Sequence, residues 1–318
     1  MKWDVLVTCP NMLLVLDDYL SLMSELNLNV FEADVTQQFD EKQLLEVIAQ
    51  YDGVIAGDDA FTAVVLEAGA KGRLKVVSKW GVGTDSIDMQ AADRHGIVVT
   101  NTPGLLGDEV ADVALGYIIL LARHLHRIDQ AVRRGEWFKP TGHSLFGKVL
   151  GIVGAGSVGQ ALTTRALALG MSVVVSDPSP AAQDQSSTLG AQPMELDRLI
   201  SSADYVVLAC PLTVDTYHMM DARRISLMRP NAALVNVSRG RLVDEGALAS
   251  ALESDEIRAA ALEVFEDEPL GPESPLCSFD QVILGSHNSS NTDEAVRRVT
   301  SAAIHNLATA LSQWQART

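Results

Sequence analysis

Cysteine is scarce in this sequence of 318 residues, which holds three: Cys9, Cys210 and Cys277. An odd number of cysteines at no metal-ligand spacing argues against a disulfide framework and against a zinc site. The hydrophobic fraction of 47% is ample for packed cores. We therefore expect a globular chain that folds without cross-links or a bound metal.

Basic residues and long apolar runs are also lacking. Lys and Arg number 24 against 41 Asp and Glu, so the net charge is −17, and we expect no nucleic-acid or anionic-membrane partner. The longest apolar stretch, Val113 to Ala122, is far below the ~20 residues of a membrane-spanning helix. The apolar run that Pro10 interrupts is too short for a secretory signal, so we expect a cytoplasmic protein.

Short apolar strands alternate with helical patterns along the whole chain, which predicts an α/β fold with parallel sheets. The length suggests about two domains. One long helix is predicted from Glu109 to Arg134, and its centre is apolar nearly all round. Such a helix needs burial on more than one side. A dimer interface and burial within the chain both satisfy that need, and both readings stay open here.

A glycine motif lies between two predicted strands. The strand Val149–Val153 leads into Gly154-Ala155-Gly156-Ser157-Val158-Gly159, and a helical pattern follows. The first glycine permits a tight turn, the second lets backbone approach a pyrophosphate, and the third lets helix and strand pack closely. The helix N-terminus then faces the phosphates. This arrangement predicts a dinucleotide-binding site.

Asp177 directly follows the next predicted strand, Ser172–Ser176. An acid at this position hydrogen-bonds the ribose hydroxyls of a dinucleotide. It would also repel a 2′-phosphate, and the residues Pro178 to Pro180 supply no Arg to receive one. The sequence therefore predicts NAD rather than NADP as the cofactor.

Three chemically capable side chains follow later predicted strands: Arg239, Glu268 and His287. Each has a plainer reading, as a surface or N-cap residue, a member of a solvated acidic cluster, or one of seven histidines. Ligands of open parallel sheets bind at the carboxyl ends of the strands. A guanidinium, a carboxylate and an imidazole on that edge predict hydride transfer to a carbonyl acid.

A second glycine segment, Lys79 to Asp85, follows the fourth predicted strand. Its Gly81 and Gly83 can turn successive N–H groups into one concavity that holds a carboxylate or phosphate. Lys79 adds a charge beside it. A plain glycine turn next to a surface lysine is the alternative.

These motifs resemble those of the NAD-dependent D-isomer-specific 2-hydroxyacid dehydrogenases, the family that includes D-3-phosphoglycerate dehydrogenase, hydroxypyruvate reductase and D-lactate dehydrogenase. The similarity covers nearly the whole chain. The motifs that carry it are Gly83–Asp88, Asn101–Gly104, the glycine loop with Asp177, Pro211–Thr216, Asn236–Gly240 followed by Val243-Asp244-Glu245, Val264–Pro269, and His287.

The resemblance implies two doubly wound parallel-sheet domains with the active site in the cleft between them. A flavodoxin-like substrate-binding domain would comprise residues 1–103 and 291–318. A Rossmann NAD-binding domain, residues 104–290, would be inserted into it. A homodimer is the expected assembly, and the expected partner is a small 2-oxo or 2-hydroxy acid.

The resemblance also implies the roles of individual residues. His287 would be the proton donor, Glu268 its orienting carboxylate, and Arg239 the ligand of the substrate carboxylate. Lys79, Val82 and Gly83 would also bind substrate. The implied cofactor-binding residues are Gly154, Gly156, Ser157, Val158, Gly159, Asp177, Cys210, Pro211, Thr216, Val237, Ser238, Glu263 and Ser289.

Two departures from the family pattern leave the substrate open. Glu263 stands where the family usually has Asp, at a position that touches the nicotinamide carboxamide. The segment Asn288–Asn291 is more polar than the family's usual residues after the catalytic His. D-3-phosphoglycerate, hydroxypyruvate and glyoxylate all remain candidates, and Lys79 weakly favours a phosphorylated acid.

Two other functions remain as alternatives. A relative of the family could use another hydride donor such as phosphite or formate, although Glu268 argues against formate because formate enzymes of this fold have Gln there. A catalytically silent NAD(H)-sensing, corepressor-like protein is the second alternative. The intact set of Arg239, Glu268 and His287 favours an enzyme.

Overall fold

The computed structural model describes residues 2–317, which divide into two compact units. Unit 1 takes in the described residues up to Leu105 and from Asn291 onwards, and unit 2 is Leu106–Ser290. The sequence analysis places the domain boundaries after residues 103 and 290, and the assignment of the two units to substrate and cofactor stays a prediction.

Unit 1 is built on a five-stranded parallel sheet. Its strands are β1 (Trp3–Val7), β2 (Leu28–Glu32), β3 (Gly53–Ala56), β4 (Val76–Lys79) and β5 (Val98–Thr100). Their order in the sheet is β2-β1-β3-β4-β5, the flavodoxin-like order. Every residue of β3 and β4 is buried, as expected where helices cover both faces of a parallel sheet.

Five helices connect these strands: α1 (Pro10–Leu13), α2 (Leu20–Glu25), α3 (Glu41–Val47), α4 (Ala63–Lys71) and α5 (Met89–Arg94). Asp40 and Gln43 form a reciprocal capping box at the start of α3. The apolar residues from Leu13 to Leu26 have helical spacing, but they do not form one continuous helix. A 3-10 helix, Leu16–Tyr19, separates α1 from α2.

Unit 2 contains a seven-stranded parallel sheet. Its strands are β6 (Val149–Val153), β7 (Ser172–Ser176), β8 (Gln192–Pro193), β9 (Tyr205–Leu208), β10 (Ala233–Asn236), β11 (Ala259–Leu262) and β12 (Val282–Leu284). The order is β12-β11-β10-β9-β6-β7-β8. All strands are parallel, and the order in which the chain adds them to the sheet changes side between β6 and β9, as in the Rossmann fold.

Seven α-helices belong to unit 2: α6 (Gly107–Arg123), α7 (Leu125–Arg133), α8 (Ser157–Ala168), α9 (Pro180–Thr188), α10 (Leu196–Ser202), α11 (Ala222–Leu227) and α12 (Glu245–Glu253). The predicted single helix from Glu109 to Arg134 is therefore wrong. His124 adopts a left-handed conformation with φ +56°, and its N–H bonds to Leu120 O. This ends α6 as glycine commonly ends helices.

Helix α6 packs within its own unit, against α8, β10 and β11. Its buried residues include Val110, Ala114, Ile118 and Leu121. Internal burial, one of the two readings left open by the sequence, accounts for this face.

The last helix, α13 (Asp293–Arg317), returns the chain to unit 1 and packs against β3, β4 and β5. Ser78 Oγ donates to Ala303 O at 2.9 Å, and Trp80 Nε1 donates to Thr300 Oγ1 at 3.0 Å. These bonds fix the carboxyl end of β4 to α13.

Within residues 2–317 no helix combines the length and apolar character that spanning a membrane requires.

Candidate active site

The glycine loop after β6 has the backbone geometry that its residue types require. Gly154 has φ +104°, and a Cβ there would lie 2.5 Å from Ala209 O. A Cβ at Gly159 would overlap Gly154 O, whereas one at Gly156 would meet nothing within 4 Å. The first and third glycines thus serve packing, and the second leaves backbone open to an approaching ligand. The loop fits a pyrophosphate.

The N-terminus of α8 supplies the hydrogen-bond donors for such a ligand. Its N-cap is Gly156, and in the described structure no side chain caps this helix. Ser157, its first residue, is exposed, and Val158 is partly exposed. Because the first N–H groups of a helix have no partner within it and carry its positive dipole end, they attract an anion.

Asp177 lies beside this loop, at the end of β7. Its Oδ2 accepts a hydrogen bond from Ala155 N at 2.7 Å, and its Oδ1 accepts one from Ser179 N at 2.8 Å. These bonds orient the carboxylate and still leave each oxygen a lone pair. The geometry is compatible with ribose hydroxyls donating to Asp177.

The loops after β9 and β10 are bonded to each other. Ser238 Oγ donates to Cys210 O at 2.5 Å. Asn236 is fully buried, accepts from Ser238 N at 3.1 Å and donates to Arg239 O at 2.7 Å. Burial, together with the nearby charge of Asp177, raises the pKa of the Cys210 thiol to about 11. The sequence does not assign Asn236 this part in shaping the loop.

Pro211 and Thr216 belong to the loop after β9, where Thr216 Oγ1 donates to Pro211 O at 2.8 Å. Val237 continues the chain beyond β10 and is buried, and Ser289 is buried as well. All four lie beyond the carboxyl ends of strands of the same sheet, as the sequence predicts. Their contact with a cofactor stays a prediction.

Arg239 follows β10 in an extended conformation, φ −140°, and its Nη1 donates to Ser238 O at 2.9 Å. A Cβ at Gly240 would overlap the backbone of Phe265. The glycine therefore allows the segment after β10 to pass against the segment after β11. This close approach brings the chain at Arg239 beside the chain that leads to Glu268.

His287 and Glu268 are joined directly: His287 Nδ1 lies 2.8 Å from Glu268 Oε2. The other carboxylate oxygen, Oε1, accepts from Phe265 N at 2.9 Å. The side chains of His287 and Glu268 are 22% and 18% exposed. A carboxylate facing Nδ1 fixes the tautomer of the ring. The acid/base role that the resemblance implies for this pair stays a prediction.

Glu263 follows β11 and is 2% exposed. Its Oε2 accepts from the hydroxyl of Tyr117, its Oε1 accepts from Asn288 N, and its backbone O accepts from His287 N at 2.8 Å. Burial and the bond to Glu263 raise the pKa of Tyr117. Each carboxylate oxygen of Glu263 thus already accepts one hydrogen bond within the protein. The predicted contact of Glu263 with the nicotinamide stays a prediction.

The sequence misses Tyr117 altogether. One signal for it exists: its hydroxyl lies in the most apolar stretch of the chain, and a buried tyrosine hydroxyl usually finds a partner.

In unit 1, Lys79 is 3% exposed at the end of β4. Its Nζ pairs with Asp58 Oδ1 at 3.0 Å and donates to Trp80 O at 3.2 Å. The ammonium of Lys79 is thus paired with a carboxylate of unit 1, and its bond to Trp80 O holds the backbone where the glycine segment begins. The predicted contact of Lys79 with substrate stays a prediction.

The glycine segment itself is ordered by Thr102 and Asn101. Gly81, with φ +119°, exchanges hydrogen bonds with Thr102, and Asn101 Nδ2 donates to Val82 O at 2.8 Å. The side chain of Val82 is 46% exposed.

No group of three or more His, Cys, Asp or Glu that could hold a metal ion occurs within residues 2–317.

A dinucleotide-binding sheet that carries a His–carboxylate pair defines a nicotinamide-dependent oxidoreductase. The family described as "D-isomer specific 2-hydroxyacid dehydrogenase, NAD binding domain" matches residues 115–289. A glyoxylate reductase of Korarchaeum cryptofilum is 36% identical over 84% of this chain and 82% of its own. A hydroxypyruvate reductase of Thermotoga maritima is 37% identical over 87% and 90%. The chain belongs to the D-isomer-specific 2-hydroxyacid dehydrogenase family.

Solved structures agree with this assignment. The crystal structure of the TT0316 protein of Thermus thermophilus matches with a TM-score of 0.84 and 32% identity, covering 98% of this chain and 97% of that one. The predicted family and the α/β fold with two parallel sheets are confirmed. The chain is an NAD-linked oxidoreductase that transfers hydride between the cofactor and a small 2-hydroxy or 2-oxo acid of D configuration.

Proposed function

We propose that this enzyme reduces a short, unphosphorylated 2-oxo acid of the glyoxylate or hydroxypyruvate type, with His287 as general acid. The contact of His287 Nδ1 with Glu268 Oε2 at 2.8 Å carries the catalytic part of the proposal. The pairing of Lys79 with Asp58 supports the choice of substrate. A buried lysine that is already paired with a carboxylate is a poor receptor for a phosphate dianion.

NADH, when bound, supplies the hydride that reduces the C2 carbonyl. His287 donates the proton from Nε2 to the oxygen that becomes the hydroxyl. Glu268 holds the ring through Nδ1 and stabilises its charged form. Arg239 grips the substrate carboxylate with its planar fork and polarises the carbonyl. In unit 1, the backbone N–H groups of Val82 and Gly83 are the proposed ligands of substrate.

The cofactor is held along the carboxyl edge of the unit 2 sheet. The N–H groups at Ser157 and Val158 bind the pyrophosphate, and Asp177 binds the adenosine ribose. The carboxylate of Asp177 disfavours a 2′-phosphate, so NADH is preferred to NADPH. Cys210, Pro211 and Thr216 line the adenosine side, and Val237, Ser238 and Ser289 line the nicotinamide side.

The enzyme acts as a homodimer. Support comes from exposed apolar side chains between the start of α7 and β6. Trp137 and Phe146 are each 79% exposed, and Leu125 and Val132 are 43% and 46% exposed. Exposed large apolar side chains are typical of association sites. Light scattering on the purified chain tests the assembly, and Trp137→Asp should shift the mass towards that of one chain.

A cytoplasmic location belongs to the same proposal. It is supported by the state of Cys9, Cys210 and Cys277, all of which are free thiols, as in proteins of reducing compartments. Fractionation of cells that express the protein tests it, and recovery outside the cytosol would contradict it.

A kinetic screen tests the reaction. NADH oxidation is followed with glyoxylate, hydroxypyruvate, pyruvate, 2-oxoglutarate and phosphohydroxypyruvate. The expected result is turnover with a kcat/KM highest for glyoxylate or hydroxypyruvate. A kcat/KM highest for phosphohydroxypyruvate would refute the choice of substrate. NADH binding without turnover would favour the sensor alternative, and NAD reduction by phosphite would favour another donor.

A further inference from the structure

Three hydrogen bonds fix the loop that carries His287 to the end of β11. Gly285 N donates to Leu262 O at 2.7 Å, and His287 N donates to Glu263 O at 2.8 Å. The first of these bonds continues the parallel pairing of β11 with β12 beyond the strands, and the second lies just after it. The third bond is different in kind, because Asn288 N donates to the side-chain Oε1 of Glu263. One residue therefore holds two successive N–H groups, on either side of the imidazole-bearing Cα.

His287 depends on such anchoring because its backbone is in the left-handed region, with φ +53°. Residues with a side chain rarely adopt this conformation, and it persists only where the surroundings impose it. Release of the Asn288 N–H would let the backbone at His287 relax towards a more common conformation. The imidazole would then move away from Glu268.

Tyr117, on α6, fixes the carboxylate that provides this anchor. Its hydroxyl donates to Glu263 Oε2. Gly285 makes room for the pair, since a Cβ at that position would overlap both Glu263 Oε2 and the Tyr117 hydroxyl. Burial and the bond to Glu263 raise the pKa of Tyr117, so its hydroxyl keeps its proton and remains a donor. Tyr117 and Glu263 therefore form a hydrogen-bonded pair that requires glycine at position 285.

We infer that Glu263 and Tyr117 are positioning residues for His287, a role that rests on the proposed function of His287 as general acid. They act through the backbone of residues 287 and 288, not by touching substrate or cofactor. The side-chain length of Glu263 is the decisive feature. An aspartate, the usual residue of the family here, is one methylene too short to reach the Tyr117 hydroxyl and Asn288 N together.

The first test replaces the tyrosine. Tyr117→Phe removes the donor to Glu263 and should lower kcat by about 3- to 10-fold, because small misplacements of a catalytic group are costly. The KM for the 2-oxo acid and the Kd for NADH should stay within about twofold. Tyr205→Phe is the matched control. Tyr205 is 1% exposed and begins β9, so it lies at the opposite, amino end of the strands. Its variant should keep the kcat of the parent.

The second test varies Glu263. Glu263→Gln keeps the length, can accept from Asn288 N and can donate to the Tyr117 oxygen, so it should rescue most of the kcat lost in Glu263→Ala. Glu263→Asp should lie between them, with a loss of about 10-fold or more. The Kd for NADH, measured by fluorescence titration, should be the same across the series. If Glu263 only stabilised the fold, the loss of kcat in each variant would follow the fall in its melting temperature and would not follow the order Ala, Asp, Gln.

Two results would overturn the inference while leaving the proposed function intact. One is a Tyr117→Phe enzyme with the parent's kcat. The other is a Glu263 series in which the Kd for NADH rises about 10-fold while kcat is unchanged, since that pattern marks a cofactor contact. A parent enzyme that oxidises NADH with none of the 2-oxo acids would instead overturn the proposed function, and with it the inference.

Discussion

Glu268 contacts His287 with one carboxylate oxygen and the backbone N–H of Phe265 with the other, at 2.8 and 2.9 Å. The carboxylate is thus anchored to the loop after β11 while it orients a ring on the loop after β12. The two loops belong to neighbouring strands of one parallel sheet. The imidazole is held at Nδ1, and in the proposed reaction it donates its proton from Nε2.

Removal of the imidazole should abolish most turnover. We expect His287→Ala to lower kcat by about 10²-fold or more, the effect of losing a general acid. The Kd for NADH should change little, because the nucleotide is held by the glycine loop and Asp177. Stopped-flow and steady-state assays of NADH oxidation measure the first quantity, and fluorescence titration measures the second. A variant with the parent's kcat would refute the assignment of His287.

Glu268 should matter only through His287. Glu268→Gln alone should lower kcat by about 10-fold or more, since the neutral amide does not stabilise the charged ring. The double variant with His287→Ala should be no slower than His287→Ala alone, because residues that act as a unit are not additive. A double variant about 10-fold slower than that single variant would assign Glu268 an independent role.

Asp177 should set the preference for NADH over NADPH. Its carboxylate is held by Ala155 N and Ser179 N beside the glycine loop. Asp177→Ala removes charge-assisted bonds to the ribose, which should raise the KM for NADH by about 10-fold. The ratio of kcat/KM for NADPH to that for NADH should rise, because repulsion of the 2′-phosphate is relieved.

Asp184→Ala is the matched control for cofactor preference. Asp184 is an exposed acid on α9, the helix that follows Asp177. Its loss changes the net charge equally without touching the ribose site. The NADPH-to-NADH ratio should therefore stay at the parent's value. If both variants raise the ratio alike, the effect is one of overall charge and Asp177 is not the discriminating residue.

The features that the sequence predicts well are local or follow from the sheet. The glycine loop can be predicted from the sequence because the tight turn and the close packing there leave no room for a side chain at Gly154 and Gly159. Arg239 and His287 are readable because parallel strands bring their carboxyl ends to one edge. Neither prediction requires knowledge of how helices pack.

The features that the sequence does not predict depend on contacts between distant segments. Tyr117 reaches Glu263 only because α6 packs on β10 and β11. Lys79 meets Asp58 because β3 and β4 are neighbours in the sheet. The break at His124 lacks the glycine or proline that usually announces a helix end, so periodicity alone runs through it.

The three cysteines should differ sharply in reactivity. Burial raises the pKa of the Cys9 thiol to about 12 and that of the Cys210 thiol to about 11, while Cys277 is exposed. Since the thiolate is the reactive form, Cys9 and Cys210 should stay unmodified at pH 8. We expect a disulfide reagent such as DTNB to label about one thiol per native chain and all three after denaturation. Cys277→Ser should abolish the native labelling, and persistent labelling of this variant would contradict the burial of the other two.

Glu245 should make the stability of unit 2 depend on pH. Burial raises the pKa of its carboxyl, and the nearby acids Glu266, Asp267 and Glu268 raise it further. A raised pKa in the folded state means that the native chain holds this proton more tightly than the unfolded chain. Between the ordinary and the raised value, the free energy of unfolding therefore falls as the pH rises. Above the raised value the loss is complete, so the charged carboxylate destabilises the fold at neutral pH.

Glu245→Gln removes this destabilisation and keeps the contact that Glu245 makes, since an amide oxygen can also accept from Glu266 N. We expect its melting temperature at pH 8 to exceed the parent's by about 1–2 °C, a small effect because solvent screens the half-buried carboxyl. The difference should vanish as the pH falls towards ~4, where the parent's Glu245 is protonated too. Glu256→Gln, an exposed acid beyond α12, should show no such trend. A difference that stays constant from pH 4 to pH 8 would mean that packing, and not the charge of Glu245, separates the two proteins.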